Sequence, residues 1–315
     1  MKSKVAIIGA GNVGATCAQR ILEHGLADVA LVDVVEGLAQ GKALDLAQAA
    51  PIEGHDGDIV GGTSYDLIRG SRIVVVTAGL ARKPGMSRSD LLEANAKIIQ
   101  SIIPQVVANA PEAILIVVTN PLDAMTYLSW RLSRFPAERV MGMAGVLDSA
   151  RLRTFVAWAL KVQLKEVEAL VLGGHGDTMV PVPDYTTVKG TPISKLLPAS
   201  QVQQIFERTQ NGGAEVVKLL KTGSAFYAPA SSVTDMVRMI LNNEKRFVPA
   251  CVYLRGQYGL KDLFCGVPAR LGEKGVAEIM ELRLTDEEKR ALQASADAVR
   301  QDMAAIDAFL KNAAP

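Results

Sequence analysis

Histidine is scarce in this 315-residue chain, which has three, and so is cysteine, with Cys17, Cys251 and Cys265. No two cysteines form a CxxC and their number is odd, so a disulfide framework or a cysteine zinc site is a poor reading and buried, reduced thiols the better one. A charge surplus is also lacking. Thirty-four Lys and Arg balance thirty-three Asp and Glu, leaving a net +1. Nucleic acid and an anionic membrane surface are therefore not expected as partners. Long apolar runs are missing too. AILIVV at 113–118 is strand-sized, far short of a bilayer span. The opening MKSKVAIIGAGNVGAT passes from charge into glycines after a short apolar run and does not read as a signal peptide. We expect a cytoplasmic protein without a membrane partner. Internal repeats, low-complexity tracts and a long linker are likewise missing.

What is present is a rhythm. VAIIG (5–9), VALVDV (29–34), DIVGG (58–62), RIVVVTAG (72–79), AILIVVT (113–119) and RVMGMAG (139–145) alternate with helix-like stretches at 12–25, 37–50, 88–109 and 120–133. Near-continuous apolar strands are covered by helices on both faces, which predicts a Rossmann-type doubly wound parallel sheet over residues 1–145. Beyond it the rhythm changes. Helices are expected at 147–161, 199–221 and 229–242, and strand-like segments at 169–177, 246–254 and 275–284. A last helix is expected after LTDEEKRAL, where Thr285 and Glu288 have capping-box spacing. Residues 146–315 read as an α+β substrate and catalytic domain.

GAGNVG (9–14) follows the first strand and opens a helix, the context in which GxGxxG binds a dinucleotide. Gly9 makes the tight turn, Gly11 admits the pyrophosphate and Gly14 lets helix and sheet pack, so Gly9, Ala10, Gly11, Asn12, Val13 and Gly14 form the expected cradle. Asp33, at the end of the second strand, can accept both adenosine ribose hydroxyls and would repel a 2′-phosphate. The residues after it, VVEG, offer no arginine. NAD is the expected cofactor rather than NADP.

Of the histidines, His24 precedes Gly25 at a helix end and His55 lies in polar EGHDGD; both are expected to face solvent. His175 sits between glycines at the end of an apolar strand in LVLGGHGDTMVP. A hydride transfer from an alcohol needs a base for the hydroxyl proton and an acid for the reverse, and an imidazole serves both. A carboxylate on its other nitrogen would fix its tautomer. Asp148, in GVLDSARLR, has two open readings: that carboxylate, or a plain helix N-cap. Arg151, three residues on, shares its helix face. The loop ARKPGMSR (81–88) carries three cations and no acid, which suits either a solvated turn or an anion site.

GAGNVG, LVDV, ARKPGMSR, VVTNPLD, MGMAGVLDSARLR and GGHGDTMVP occur in the order found in the lactate/malate dehydrogenase family, which the chain resembles over nearly its whole length. Within that family it is similar to the malate-acting enzymes of the lactate-dehydrogenase-like branch. The resemblance implies NAD-dependent interconversion of (S)-malate and oxaloacetate, and a homodimer or homotetramer. His175 would be the proton donor and acceptor, oriented by Asp148. Arg151 would grip the substrate's first carboxylate, and Arg88, on a lid, would polarise the carbonyl. Val118, Thr119 and Asn120 would line the nicotinamide side, Asn120 also touching substrate, and Asn95 would be a further cofactor and substrate contact. Arg82 would pair with the second carboxylate where lactate-acting relatives carry Gln. Facing pyruvate's methyl group, that cation would be dehydrated without a partner. Gly174 stands where lactate-acting relatives commonly carry Glu. The resemblance gives Lys83 no role, and no metal site is expected.

Overall fold

The β-branched runs become strands because helices cover both their faces. The computed structural model describes residues 2–81 and 86–312, Arg88 by its backbone alone. In chain order come β1 (Lys4–Ile8), α1 (Asn12–Glu23), β2 (Asp28–Val32), α2 (Leu38–Glu53), β3 (Ile59–Gly62), β4 (Ile73–Val76), α3 (Arg88–Asn109), β5 (Ile114–Val117), α4 (Leu122–Ser133) and β6 (Val140–Gly142). Strands β3-β2-β1-β4-β5-β6 lie in that spatial order, all parallel. The order reverses between β1 and β4, the crevice where ligands of such sheets bind. Every residue of Val5–Ile8, Ile73–Val76 and Ile114–Val117 is buried, each side chain larger than Ala contributing about 1.5–3 kcal/mol.

The second half begins with α5 (Gly145–Leu160). Short strands β7 (Val167–Glu168), β8 (Val171–Leu172), β9 (Val180–Pro181), β10 (Thr187–Val188) and β11 (Thr191–Pro192) form two small antiparallel sheets. Then follow α6 (Ala199–Gln210), α7 (Gly212–Leu220), α8 (Tyr227–Leu241), β12 (Phe247–Arg255), β13 (Lys261–Gly272), β14 (Gly275–Ile279) and α9 (Asp286–Asn312). The antiparallel trio β12–β14 continues the large sheet, joining β6 at the register pair Cys251–Gly142.

Four expectations change in detail. The strand-like stretch 169–177 keeps only β8, Val171–Leu172, and His175 lies in the loop beyond it. The helical stretch 199–221 is two helices that part at Asn211. The strand at 275–284 stops at Ile279. The twelve-residue β13 does not announce itself, because Gly266 and Pro268 read as breakers. In the ladder Pro268 faces Pro249 in register, so the two missing donors fall on one rung. Gly266 packs where an added Cβ would lie 2.5 Å from Gly173 O. The capping box does form: Thr285 Oγ1 accepts the Glu288 N–H at 3.2 Å and Glu288 Oε2 accepts the Thr285 N–H at 2.7 Å. The three thiols are buried and unpaired, and burial pushes Cys17 up to about 12.

Candidate active site

The glycine turn ends β1 and starts α1. Gly9 has φ +107°, and an added Cβ would lie 2.7 Å from Ala78 N. At Gly14 a Cβ would meet Gly9 O at 1.9 Å, so α1 sits against the turn as only glycine permits. At Gly11 a Cβ would meet nothing within 4 Å. The turn therefore presents an open surface beside the Gly11 backbone, at the N-terminus of α1, and a pyrophosphate fits there. Asp33 stands just past β2. Its Oδ2 accepts the Ala10 N–H at 2.6 Å and its Oδ1 the Val35 N–H at 3.0 Å. These bonds aim the carboxylate at the turn, consistent with a ribose-facing acid.

Across the crevice, Thr119 Oγ1 donates to Ala78 O at 2.7 Å, and Asn120 follows, exposed, before a cis bond to Pro121. Asn95 differs from the expectation. It is fully buried, and its amide is taken up by backbone: Oδ1 accepts from Leu80 N at 2.7 Å, and Nδ2 donates to Leu80 O at 3.1 Å and Asn120 O at 2.6 Å. It ties the segment entering the cationic loop to the Asn120 turn. Arg82, Lys83, Pro84 and Gly85 lie outside the described residues, as does the Arg88 side chain. The backbone at Arg88 is the first residue of α3, framed by a Ser87–Asp90 capping box: Ser87 Oγ accepts the Asp90 N–H and Asp90 Oδ2 the Ser87 N–H, both at 3.0 Å. Hydrogen bonding to the Ser87 side chain, and then to its N–H, holds the Asp90 carboxyl below its usual range.

The candidate catalytic group comes from farther apart in the chain. His175 Nδ1 lies 2.8 Å from Asp148 Oδ2, and Asp148 is 1% exposed. The N-cap reading of Asp148 falls away, since α5 begins at Gly145 after Ala144 and no side chain caps it. Asp148 Oδ1 accepts Arg151 Nη1 at 3.2 Å, so one carboxylate links the imidazole and the guanidinium. Burial by itself lowers the His175 pKa. The Asp148 charge and hydrogen bond, joined by the Asp123 charge, outweigh burial and Arg151, and the net shift is upward. Of the other histidines, His24 is exposed; His55 is half-buried rather than solvent-facing, its Nδ1 accepting the Gly57 N–H at 3.3 Å.

Three consecutive residues fix the His175 loop. Gly173 exchanges backbone bonds with Gly266 at 2.9 and 3.0 Å. The Gly174 N–H donates to Ser295 Oγ on α9 at 2.8 Å, and the His175 N–H to Asp123 Oδ2 on α4 at 2.8 Å. Asp123 is buried, which pushes its carboxyl up, opposed by the Cys251 thiol and the His175 N–H. A Cβ at Gly174 would lie 2.8 Å from Val299 Cγ2, so a larger residue there would need α9 to give. Around Arg151, a Cβ at Gly212 would come 3.1 Å from its Cδ, and the glycines opening α7 leave room for the guanidinium. Sequence reading missed these supports. Asp123 lies inside the quoted VVTNPLD and Ser87-x-x-Asp90 has visible capping spacing. Ser295 offers no signal, since it is 121 residues from the loop it holds.

A parallel sheet with a glycine cradle at its switch point, together with a buried His–Asp pair beside an arginine, suits a dinucleotide-dependent dehydrogenase. Residues 3–142 match the lactate/malate dehydrogenase NAD-binding domain and residues 145–310 the lactate/malate dehydrogenase alpha/beta C-terminal domain. The chain belongs to the lactate/malate dehydrogenase family. A malate dehydrogenase of Thermomicrobium roseum is 56% identical over 301 residues, 96% of this chain and 97% of that one. The apo malate dehydrogenase of Picrophilus torridus superposes with TM-score 0.96 at 44% identity, covering 99% of both chains. The lactate dehydrogenase of Cryptosporidium parvum, solved with lactic acid and nicotinamide adenine dinucleotide, reaches TM-score 0.95 at 38% identity, covering 100% of this chain and 99% of that one.

Proposed function

We propose that this chain interconverts (S)-malate and oxaloacetate with NAD, residues 1–145 holding the cofactor and 146–315 supplying the proton and carboxylate machinery. One observation carries the reading: a single buried carboxylate, Asp148, orients His175 on one side and holds Arg151 on the other. That arrangement puts a proton-handling group next to a carboxylate-binding one, which is what a 2-hydroxy acid requires. Nicotinamide, when bound, supplies or accepts the hydride.

The residues divide the remaining work. Asp148 accepts from Nδ1 and leaves Nε2 to face the substrate oxygen, so His175 takes the hydroxyl proton in oxidation and returns it in reduction. Arg151 keeps donors free for a two-pronged pair with the carboxylate beside the reacting carbon. Arg88, at the first residue of α3, is assigned to the carbonyl oxygen, where charge develops during reduction. Asn120 reaches the nicotinamide ribose and substrate. Asn95 acts on both through the backbone it ties together.

Substrate choice rests on Arg82. The overall fold does not discriminate, since a lactate-binding relative superposes as well as the malate-named ones. A second carboxylate neutralises the Arg82 cation on closure; a methyl group does not. Arg82→Gln should lower the preference for oxaloacetate over pyruvate by two or more orders of magnitude, on the order of 3 kcal/mol for a desolvated charge pair. The check is kcat/KM for both keto acids with NADH. An unchanged ratio removes Arg82 from this role, and an original chain that prefers pyruvate overturns the malate reading.

We further assign a cytoplasmic homodimer or homotetramer. Large apolar side chains stand exposed on α2 (Leu44, Ile52), α7 (Leu219) and at the start of α8 (Tyr227), and such surface is consistent with an isologous interface.

A further inference from the structure

Lys42 lies on the second turn of α2, outside every motif discussed above. Its half-buried side chain runs back to the glycine turn, where Nζ donates to Ala10 O at 2.7 Å. Among the described residues, no carboxylate oxygen comes within ion-pair distance of that ammonium. The peptide units around Ala10 are thus held from two sides: Asp33 takes its N–H at 2.6 Å and Lys42 its carbonyl. An ammonium has three donors, and the one bond shown leaves two. Beside it lies the open surface at Gly11, at the N-terminus of α1. A half-buried cation without an acid, set against an anion cradle, is an electrostatic arrangement that an anion completes.

We propose that Lys42 is a cofactor-positioning residue: it locks the Ala10 carbonyl so that the turn holds its anion-receiving shape, and its charge adds to the attraction for the dinucleotide. The inference rests on the NAD reading above and concerns affinity, not the chemical step. Lys42 is far along the chain from His175 and touches none of the proton machinery, so its loss should fall on NADH binding alone.

The experiment uses NADH fluorescence titration of the intact protein, which needs no turnover, alongside oxaloacetate reduction at saturating NADH. Lys42→Met should weaken NADH binding about tenfold, the scale of one charge-assisted hydrogen bond, and leave kcat within about twofold. Lys42→Arg keeps a charged donor and should recover to within about threefold of the original. The affinity of the original chain should fall more steeply with added salt than that of Lys42→Met. Unchanged NADH affinity in Lys42→Met overturns the proposal. So do a loss confined to kcat, equal losses in the Met and Arg variants, or equal salt slopes. Failure of the original chain to reduce oxaloacetate would instead reject the substrate reading and leave the titration intact.

Discussion

The two ends of the crevice are built in different ways. At the proposed adenosine end, the cradle is mostly backbone: a glycine turn, one carboxylate past the next strand and, on our proposal, one lysine on the helix that follows, all within 34 residues (9–42). At the reacting end, side chains from α4, α5, the 173–175 loop and α9 converge, with Ser295 placed 121 residues from the amide it accepts. A backbone site is written in short motifs because local conformation makes it. A side-chain site is held by long-range contacts, and only its reacting members carry recognisable motifs.

The largest effect should come from the reacting end. His175→Asn removes the proposed proton carrier while leaving the cradle whole, so turnover should fall by about 10²–10⁴-fold with NADH affinity unchanged. Stopped-flow reduction of oxaloacetate and NADH titration on one preparation measure both. If NADH binding fell in parallel, the two ends would not be separable.

Asp148→Asn should cost no more than this, up to about 10⁴-fold through the wrong imidazole tautomer, and should carry a pH signature. The His175 pKa is raised in the folded protein. Oxaloacetate reduction uses the imidazolium, so its rate is full below that raised value and falls as pH rises through it. Malate oxidation uses the neutral ring and rises over the same range. Without the Asp148 charge, burial again depresses the pKa, and both crossings should move to lower pH. A pH–rate profile that stayed in place would assign Asp148 to packing alone.

The smallest effect on chemistry belongs to the cradle. In Gly14→Ala the methyl would meet Gly9 O at 1.9 Å, so α1 must shift, at about 1–3 kcal/mol of overpacking strain. Thermal melting should register that cost, NADH affinity should fall, and kcat at saturating NADH should change least of the three variants. A drop in kcat matching that of Asp148→Asn would show that the turn reaches the chemistry.

Legibility followed this division. The parallel sheet, the turn and the position of Asp33 could be read because apolar strands and glycines act over a few residues, while the strand order came from the fold. Strand β13 could not, because Gly266 and Pro268 are breakers locally and become compatible only when Gly173 and Pro249 face them. Asp148 had two fair readings, cap or orienter. The start of α5 at Gly145, with Ala144 at its cap, decided between them. Asn95 is a ligand contact on resemblance; what the fold adds, and the chain could not tell, is that its buried amide bonds the backbone of Leu80 and Asn120.

The sequence by itself determined the dinucleotide half, because apolar strands and a glycine turn depend on residue type and near-neighbour conformation, while its resemblance to the family singled out His175 as the proposed proton carrier and Arg82 as the proposed selector of a dicarboxylate. Only the tertiary structure decided which groups hold His175 and the glycine turn. The 2.8 Å approach of His175 to Asp148, the anchoring of Gly173, Gly174 and His175 by three separate elements, and the meeting of Asp33 and Lys42 at Ala10 are products of packing. Hydrogen-bond partners of a buried group are set by whatever the fold brings within about 3 Å, and separation along the chain carries no record of it.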